Sequence, residues 1–237
     1  MTMSICFLIP VKLDTAEQSK YVVRCIESIR RIYPTETIVI AMAKDSRPLP
    51  STVDPTVRVV TNPHFSTLGC LWLFHENRYA TTAVILHDST VILGKLPALE
   101  RGVQFLYHFV EPSLDRGRNE EGYRRLLTYL EWYDMVSTHT FGCFGNIFYI
   151  HKDAVEPSGL LRFVRTIKTK YDFECMERIS AYIAKKSGLL VGYSLCGSIF
   201  QPIANPWDHT EYATKSVDEF LADGFPFPVA KCIVGRR

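Results

Sequence analysis

Residues 83–93 read AVILHDSTVIL: four apolar side chains, four polar ones, then three apolar ones again. A short apolar run is what a buried strand looks like. The fold turns on why an aspartate stands where that strand stops. In an open, mostly parallel α/β sheet, ligands gather beyond the carboxyl ends of the strands. On that rule Asp88 projects over a ligand crevice and not into the core.

The upstream sequence supplies the rest of such a sheet. Residues 4–11, SICFLIPV, form an apolar run ending near a proline. From about Thr15, the residues Val22, Cys25, Ile26, Ile29, Ile32 and Tyr33 recur at three- and four-residue spacing until Pro34, which predicts an amphipathic helix. ETIVIAMA (36–43) is a second strand, KDSRPLPSTVDPT a turn-rich connection, and VRVVTN (57–62) a third strand. Residues 65–80 predict a helix, and TTAVILHD (81–88) returns to the sheet. Strand, helix, strand, strand, helix, strand within 88 residues predicts a mostly parallel, twisted sheet flanked by helices.

The second half is less regular. Helical patterns around 97–109 and 122–133 flank the hydrophilic loop EPSLDRGRNEEG (111–122). MVSTHTFGCFGNIFYI (135–150) is apolar and interrupted by glycine. A helix over roughly 173–187 ends in two lysines before Gly188, and LLVGYSL follows as a strand. The tail from Ile203, rich in Pro and aromatics, reads as loop wrapped on the surface. No linker divides the chain, so one domain over residues 1–237 is expected.

Bulk properties exclude several classes. With 27 basic and 25 acidic side chains the net charge is +2, too weak a field to imply nucleic acid, and a small-molecule partner is expected. Seven cysteines without a CxxC pair argue against a disulfide framework and against a structural zinc site, and predict buried thiols. No apolar segment reaches the roughly 20 residues of a membrane helix, and the first residues lack the pattern of a signal peptide, so a soluble, cytoplasmic protein with no membrane span is expected. No GxGxxG cradles a dinucleotide, the first strand-to-helix turn, PVKLDTAEQ, lacks the glycine of nucleotidyltransferases, and no cysteine has a recognisable nucleophile setting.

Over roughly residues 4–210 the layout resembles the GT-A glycosyltransferases, nucleotide-sugar enzymes built on one Rossmann-like domain, and most of all their family-2-like inverting members. Four stretches carry the resemblance. Asp88-Ser89-Thr90 matches the DxD-like triplet that holds a divalent cation against the donor's diphosphate, with threonine in place of the last acid. FGCFGNIFYIHKDAV (141–155) is similar to the glycine-containing strand that lies against the donor sugar, here through Gly142, Gly145 and Asn146. YDFECMERISAYIAKKSG (171–188) matches the acidic motif that supplies the general base, Asp172 by spacing from Arg178, or Glu174 beside it. NPWDHTEYATK (205–215) matches the late histidine that reaches the cation or diphosphate, His209, with Asp208 to orient it and Lys215 to meet a phosphate.

The resemblance implies a glycosyltransferase that moves a sugar from a UDP- or GDP-sugar to the hydroxyl of a glycan, lipid or protein, with inversion. It implies Mn²⁺ or Mg²⁺ held by Asp88 and His209. Donor contacts are implied at Pro10, Val11, Asp45, Ser46, Asp88, Ser89, Gly145, Asn146 and Lys215, and acceptor contacts at the loop 111–122 and Trp132. The chemistry of Asp88 is decided in sign by Coulomb's law. At about 4 Å and an effective dielectric of about 20, a carboxylate repels each phosphate charge by about 4 kcal/mol. Asp88 therefore needs a cation between it and the diphosphate, or a ribose hydroxyl to accept from. Asp172 equally suits a helix N-cap, and a binding or scaffold protein without catalysis stands beside the enzyme.

Overall fold

The computed structural model describes residues 4–64, 66–110 and 141–232. The strands are β1 (Ile5–Val11), β2 (Thr37–Met42), β3 (Arg58–Thr61), β4 (Thr82–Ile85), β5 (Thr90–Ile92), β6 (Val103–Phe105), β7 (His108–Val110), β8 (Phe141–Cys143), β9 (Phe148–His151) and β10 (Val229–Lys231). The main helices are α1 (Ser19–Ile32), α2 (Ser66–Asn77), α3 (Lys170–Lys186) and α4 (Val217–Ala222).

Six strands form one sheet in the order β3-β2-β1-β4-β9-β6. The pairs β1–β2, β1–β4 and β2–β3 are parallel, while β9 runs against both β4 and β6. This is the mostly parallel α/β sheet that the first 88 residues predict. The period of two along β1 divides the core. Cys6 and Leu8 join the layer beneath α2 and α3, with Leu71, Phe74, Met176 and Ile179. Phe7 and Ile9 join the layer beneath α1, with Val22, Ile26 and Ile29. Each of the fully buried Phe7, Leu8 and Ile9 contributes about 1.5–3 kcal/mol of apolar burial, an upper bound because the unfolded chain is already partly collapsed.

Local chemistry sets the helix ends. Gln18 Oε1 accepts from the amides of Asp14 and Thr15 just ahead of α1, which ends at Tyr33 before Pro34. The buried hydroxyl of Ser28 on α1 accepts from Ile92 N at 2.9 Å, tying that helix to β5.

Three readings of the second half are corrected. Residues 97–109 hold no helix: Val103, Phe105 and Phe109 are buried on strands, and their apolar spacing fits both periods. LLVGYSL runs beside β6, with Val191 N donating to Val103 O and Leu195 N to Phe105 O, but makes only the Val103–Leu190 bridge and no regular strand. The tail is more than surface loop, since β10 pairs with β5 and buries Ala230 and Cys232 with Tyr212 and Phe220. The acceptor candidates 111–122 and Trp132 lie outside the described residues. All seven cysteines are free and buried. No helix among the described residues is long and apolar enough to cross a membrane.

The glycine at 142 is explained by packing. A Cβ there would stand 2.1 Å from Cζ of Phe109 on the paired strand β7. Gly142→Ala is expected to lower stability by about 1–3 kcal/mol through overpacking, read as a lower urea midpoint at unchanged slope. Adding Phe109→Leu should restore most of the loss; no restoration would refute the steric account.

Candidate functional site

The loops that leave the carboxyl ends of β1 to β4 surround a cleft of about 560 Å³. Pro10, Val11 and Lys12 come from the end of β1, and Ala43 and Lys44 follow β2. Asn62, Pro63 and His64 follow β3, and His87 and Asp88 follow β4. Val164, Arg165, Ile167 and Lys168, on the approach to α3, close the remaining side. Another hollow of about 600 Å³ opens at the amino ends of β1 and β4, beside Ser4, Arg78 and Thr81. The carboxyl-end cleft is the better candidate, because there the loops of four strands bring charged groups together.

Asp88 sits on a turn held from several sides. Thr90 N donates to His87 O at 3.0 Å, Leu86 N to Leu8 O at 3.0 Å, and Cys232 N to Ser89 O at 2.9 Å. Within the Asp-Ser-Thr triplet only Asp88 lines the cleft. Ser89, 6% exposed, accepts a hydrogen bond from the buried Lys231 ammonium, and Thr90 is fully buried on β5. Asp45 and Ser46 follow Lys44 and are not among the residues that line the cleft. The Lys12 ammonium lies 2.8 Å from the Asp45 carboxylate and holds it below the usual carboxylate range, while Ser46 Oγ accepts from Leu13 N at 2.8 Å.

Gly145 and Asn146 stand behind His87. Gly145 has a φ of 63°, its N donates to Glu177 Oε1 at 2.8 Å, and a Cβ there would come within 3.0 Å of the His87 ring. Asn146 is fully buried and donates to Phe173 O at 3.2 Å, joining the β8–β9 turn to the first turn of α3. The Phe173 ring in turn lies 6.0 Å from that of His87.

The two candidate bases differ in surroundings. The N-cap of α3 is Thr169, and Asp172, the third residue of the helix, closes a capping box with it. Its Oδ2 accepts from the amides of Lys168 and Thr169, both at 3.0 Å, and the residue is fully buried. Asp172 thus fixes the backbone that carries Lys168 to the cleft. Glu174 is partly open, with 33% of its side chain exposed and Lys170 at 3.7 Å.

His209 and Lys215 are outside the cleft walls. His209 Nε2 faces Pro202 O at 2.7 Å, which makes that nitrogen a donor, and its ring stacks on Tyr212 at 4.6 Å. Nδ1 meets Glu211 at 3.2 Å, so Glu211 and not Asp208 orients the ring; Asp208 accepts from Asn205. Lys215 pairs with Asp223. Arg24 of α1 fixes this segment by donating to the carbonyls of Tyr212, Ala213 and Lys215.

A divalent ion finds few ligands in this arrangement. Among the described residues no three His, Cys, Asp or Glu side chains gather as a metal group. Of the expected ligand pair, Asp88 lines the cleft and His209 does not, both His209 nitrogens facing partners in the C-terminal segment. What sequence reasoning missed is the set of cations, Lys44, Arg165 and Lys168, together with His64. They come from three separate segments, Arg165 and Lys168 sharing one, and carry no motif.

No protein-family model matches the chain, and no curated protein matches it significantly. Among solved structures it is similar to the galactosyltransferase LgtC in complex with donor and acceptor sugar analogues, with 10% identity, 98% of this chain and 88% of that chain covered, and a TM-score of 0.46. It is also similar to core-mannan synthase A of Aspergillus fumigatus in its Mn/GDP form, at 8% identity, 77% and 66% coverage and a TM-score of 0.38. For the bifunctional glycosyltransferase WbbM the values are 12%, 98% and 46%, and 0.43. The α/β assignment rests on the sheet order, not on these likenesses.

His64 offers a test of the cleft's charge. Burial first, and the Arg165 guanidinium second, hold its imidazole below the ordinary value. A seated diphosphate opposes the Arg165 field and raises that pKa. Proton uptake then accompanies binding, so the affinity for inorganic pyrophosphate, used as a probe anion, is expected to rise as pH falls from the bound to the free pKa of His64. His64→Gln should flatten this slope in a calorimetric pH series; an unchanged slope would exclude His64 as its source.

Proposed function

We propose that the protein is a glycosyltransferase that moves a sugar from a UDP- or GDP-sugar to an acceptor hydroxyl on a glycan, lipid or protein, using a single domain over residues 1–237. The observation that carries this reading is the cleft at the carboxyl ends of β1 to β4. Lys12, Lys44, Arg165 and Lys168 surround one carboxylate, Asp88, in a volume of about 560 Å³. A diphosphate matches the cations, and a ribose hydroxyl matches the acid, which phosphate would repel. The volume lies within the roughly 300–1,000 Å³ typical of small-molecule sites.

In this reading Pro10 and Val11 are the floor under the nucleoside, and the Asp45-Ser46 turn is its edge. His87, backed by Gly145 and Asn146, faces the sugar. Transfer proceeds with inversion. The acceptor oxygen attacks the anomeric carbon from the side opposite the diphosphate, the bond from that carbon to the phosphate oxygen breaks, and the hydroxyl proton passes to a carboxylate. Glu174 suits that role better than Asp172. It is partly exposed one turn into α3, whose entry segment supplies Arg165 and Lys168, whereas Asp172 is buried in the capping box. The two cations stabilise charge gathering on the departing diphosphate, where fixed positive groups act most strongly.

Release of UDP or GDP from a panel of nucleotide-sugars and simple acceptors tests this directly. Turnover is expected with one donor, with inverted anomeric configuration by NMR. Asp88→Asn should raise the donor KM by about tenfold or more, as loss of a charged hydrogen bond does. Glu174→Gln should lower kcat by about 10²–10⁴-fold with donor binding intact. Binding without turnover of any donor would favour the inactive binding-protein reading that the missing second acid at Thr90 suggests. The absence of both would end the nucleotide-sugar proposal.

A further inference from the structure

We infer that this cleft binds the donor's diphosphate without a divalent cation, its positive charge supplied by Lys12, Lys44, Arg165 and Lys168 on the walls and by Lys231 beneath the Asp88 turn. The inference rests on the nucleotide-sugar reading of the same site.

The donor set leads to it. A divalent ion bridging a diphosphate commonly takes one or two protein carboxylates and fills its remaining positions with water and phosphate oxygens. Among the described residues Asp88 is the one acid on the cleft wall. The position of the second acid is Thr90, fully buried on β5 and paired across to Lys231. The ring nitrogens of His209 are spent on Pro202 O and Glu211. Asp45 and Asp14, acids beside the described wall, are engaged with Lys12, and Asp45 does not line the cleft.

A cation is already built into the turn. Lys231, 7% exposed on β10, donates to Ser89 Oγ and, at 3.3 Å, to Cys232 O. The chain thus places an ammonium under the turn whose acid would have to hold the metal. Arg24 shares this neighbourhood. Burial first, and then the Asp88 carboxylate, push the Cys25 thiol upward, while Arg24 and Lys231 pull it down, so all three charges act on one buried sulfur. A dication brought to Asp88 meets this positive ground from below and four cationic side chains from around the cleft. Like charges repel, and a dication is repelled twice as strongly as a single charge. A diphosphate meets the same field as attraction.

Lys231 acts through the turn and is a positioning residue. With its charge removed, Asp88 is freed to recruit a metal. With the charge kept, it is not.

Calorimetric titration of UDP and GDP into the intact protein, in chelator and in millimolar manganese, is the test. For the wild type the two Kd values are expected to agree within about threefold, and to weaken as salt rises, because exposed cations are screened. Lys168→Ala should weaken binding by about tenfold in either buffer, since loss of a wall charge costs about that much affinity. Lys231→Met, checked for folding by its melting curve, should become manganese-responsive, while Lys231→Arg should stay indifferent. If the methionine variant does not fold, the wild-type and Lys168→Ala titrations still decide the matter. Tightening of wild-type binding by tenfold or more in manganese would overturn the metal-free inference and leave the nucleotide-sugar reading standing. No binding of either nucleotide in either buffer would sink both. A folded Lys231→Met protein indifferent to manganese would remove Lys231 from the account.

Discussion

The parallel pairing of β1 with its two neighbours is the constraint on which the rest of the structure depends. Ile5 is opposite Thr82 and Leu8 opposite Ile85 on one side, and Pro10 is opposite Ala41 and Val11 opposite Met42 on the other. Parallel strands in one sheet share a direction, so their carboxyl ends lie together, and Lys12, Lys44, His64 and Asp88 are brought to one place from four loops. The register is held by burial on both faces. Ala83 and Ile85 fill one core layer, and Val84 and Leu86 the other. A slip of one residue would exchange these faces and move Asp88 away from the cleft.

A second constraint comes from the end of the chain. The turn after β4 would be an exposed loop if β10 did not return to β5, placing Cys232 N on Ser89 O and Lys231 on Ser89 Oγ. A buried lysine is costly unless its charge is compensated by hydrogen bonds or acids nearby. Its presence here ties the geometry of the turn to its electrostatics. The aromatic cluster of Tyr212, Phe220 and Phe225 supports the returning strand, which explains why His209 and Lys215 are engaged there.

The sequence was most legible where one physical signal dominates. Through residue 88, the central strands β1, β2 and β4, buried along most of their length, read as continuous apolar runs, and α1 as a clean three-and-four repeat, so element order and the location of the cleft followed. Legibility failed where two signals compete. Val103, Phe105, Leu106 and Phe109 suit a helix face as well as two short strands, and only pairing with β9 and β8 decides between them. The strand VAK carries a buried lysine, the residue type that strand patterns count against. Thr169 and Asp172 form a capping box that could be recognised from the sequence, but family spacing drew attention to Asp172 as a base and away from the threonine three residues earlier. Gly142 looked like a sugar contact because glycine in a strand signals close approach, without saying what approaches; here it is Phe109.

The cationic walls were the least legible part, and the reason lies in the range of electrostatic forces. A net charge of +2 from 27 basic and 25 acidic groups gives no hint of a charged site. Yet in physiological salt a charge is felt over only about 8 Å, so what a ligand meets is the few groups around its seat and not the total. Lys12, Lys44 and the neighbouring pair Arg165 and Lys168 are far apart in the chain and become neighbours of one cleft only when the sheet forms and Asp172 fixes the backbone ahead of α3. A near-neutral composition therefore argues against a polyanion spread over the surface, while saying nothing about a small anion at one end of the sheet. The fold turns four unremarkable positions into a local field, and Asp88, the one carboxylate among the described residues of the wall, gives that field a direction, favouring an anionic group toward the cations and a hydroxyl donor toward the acid.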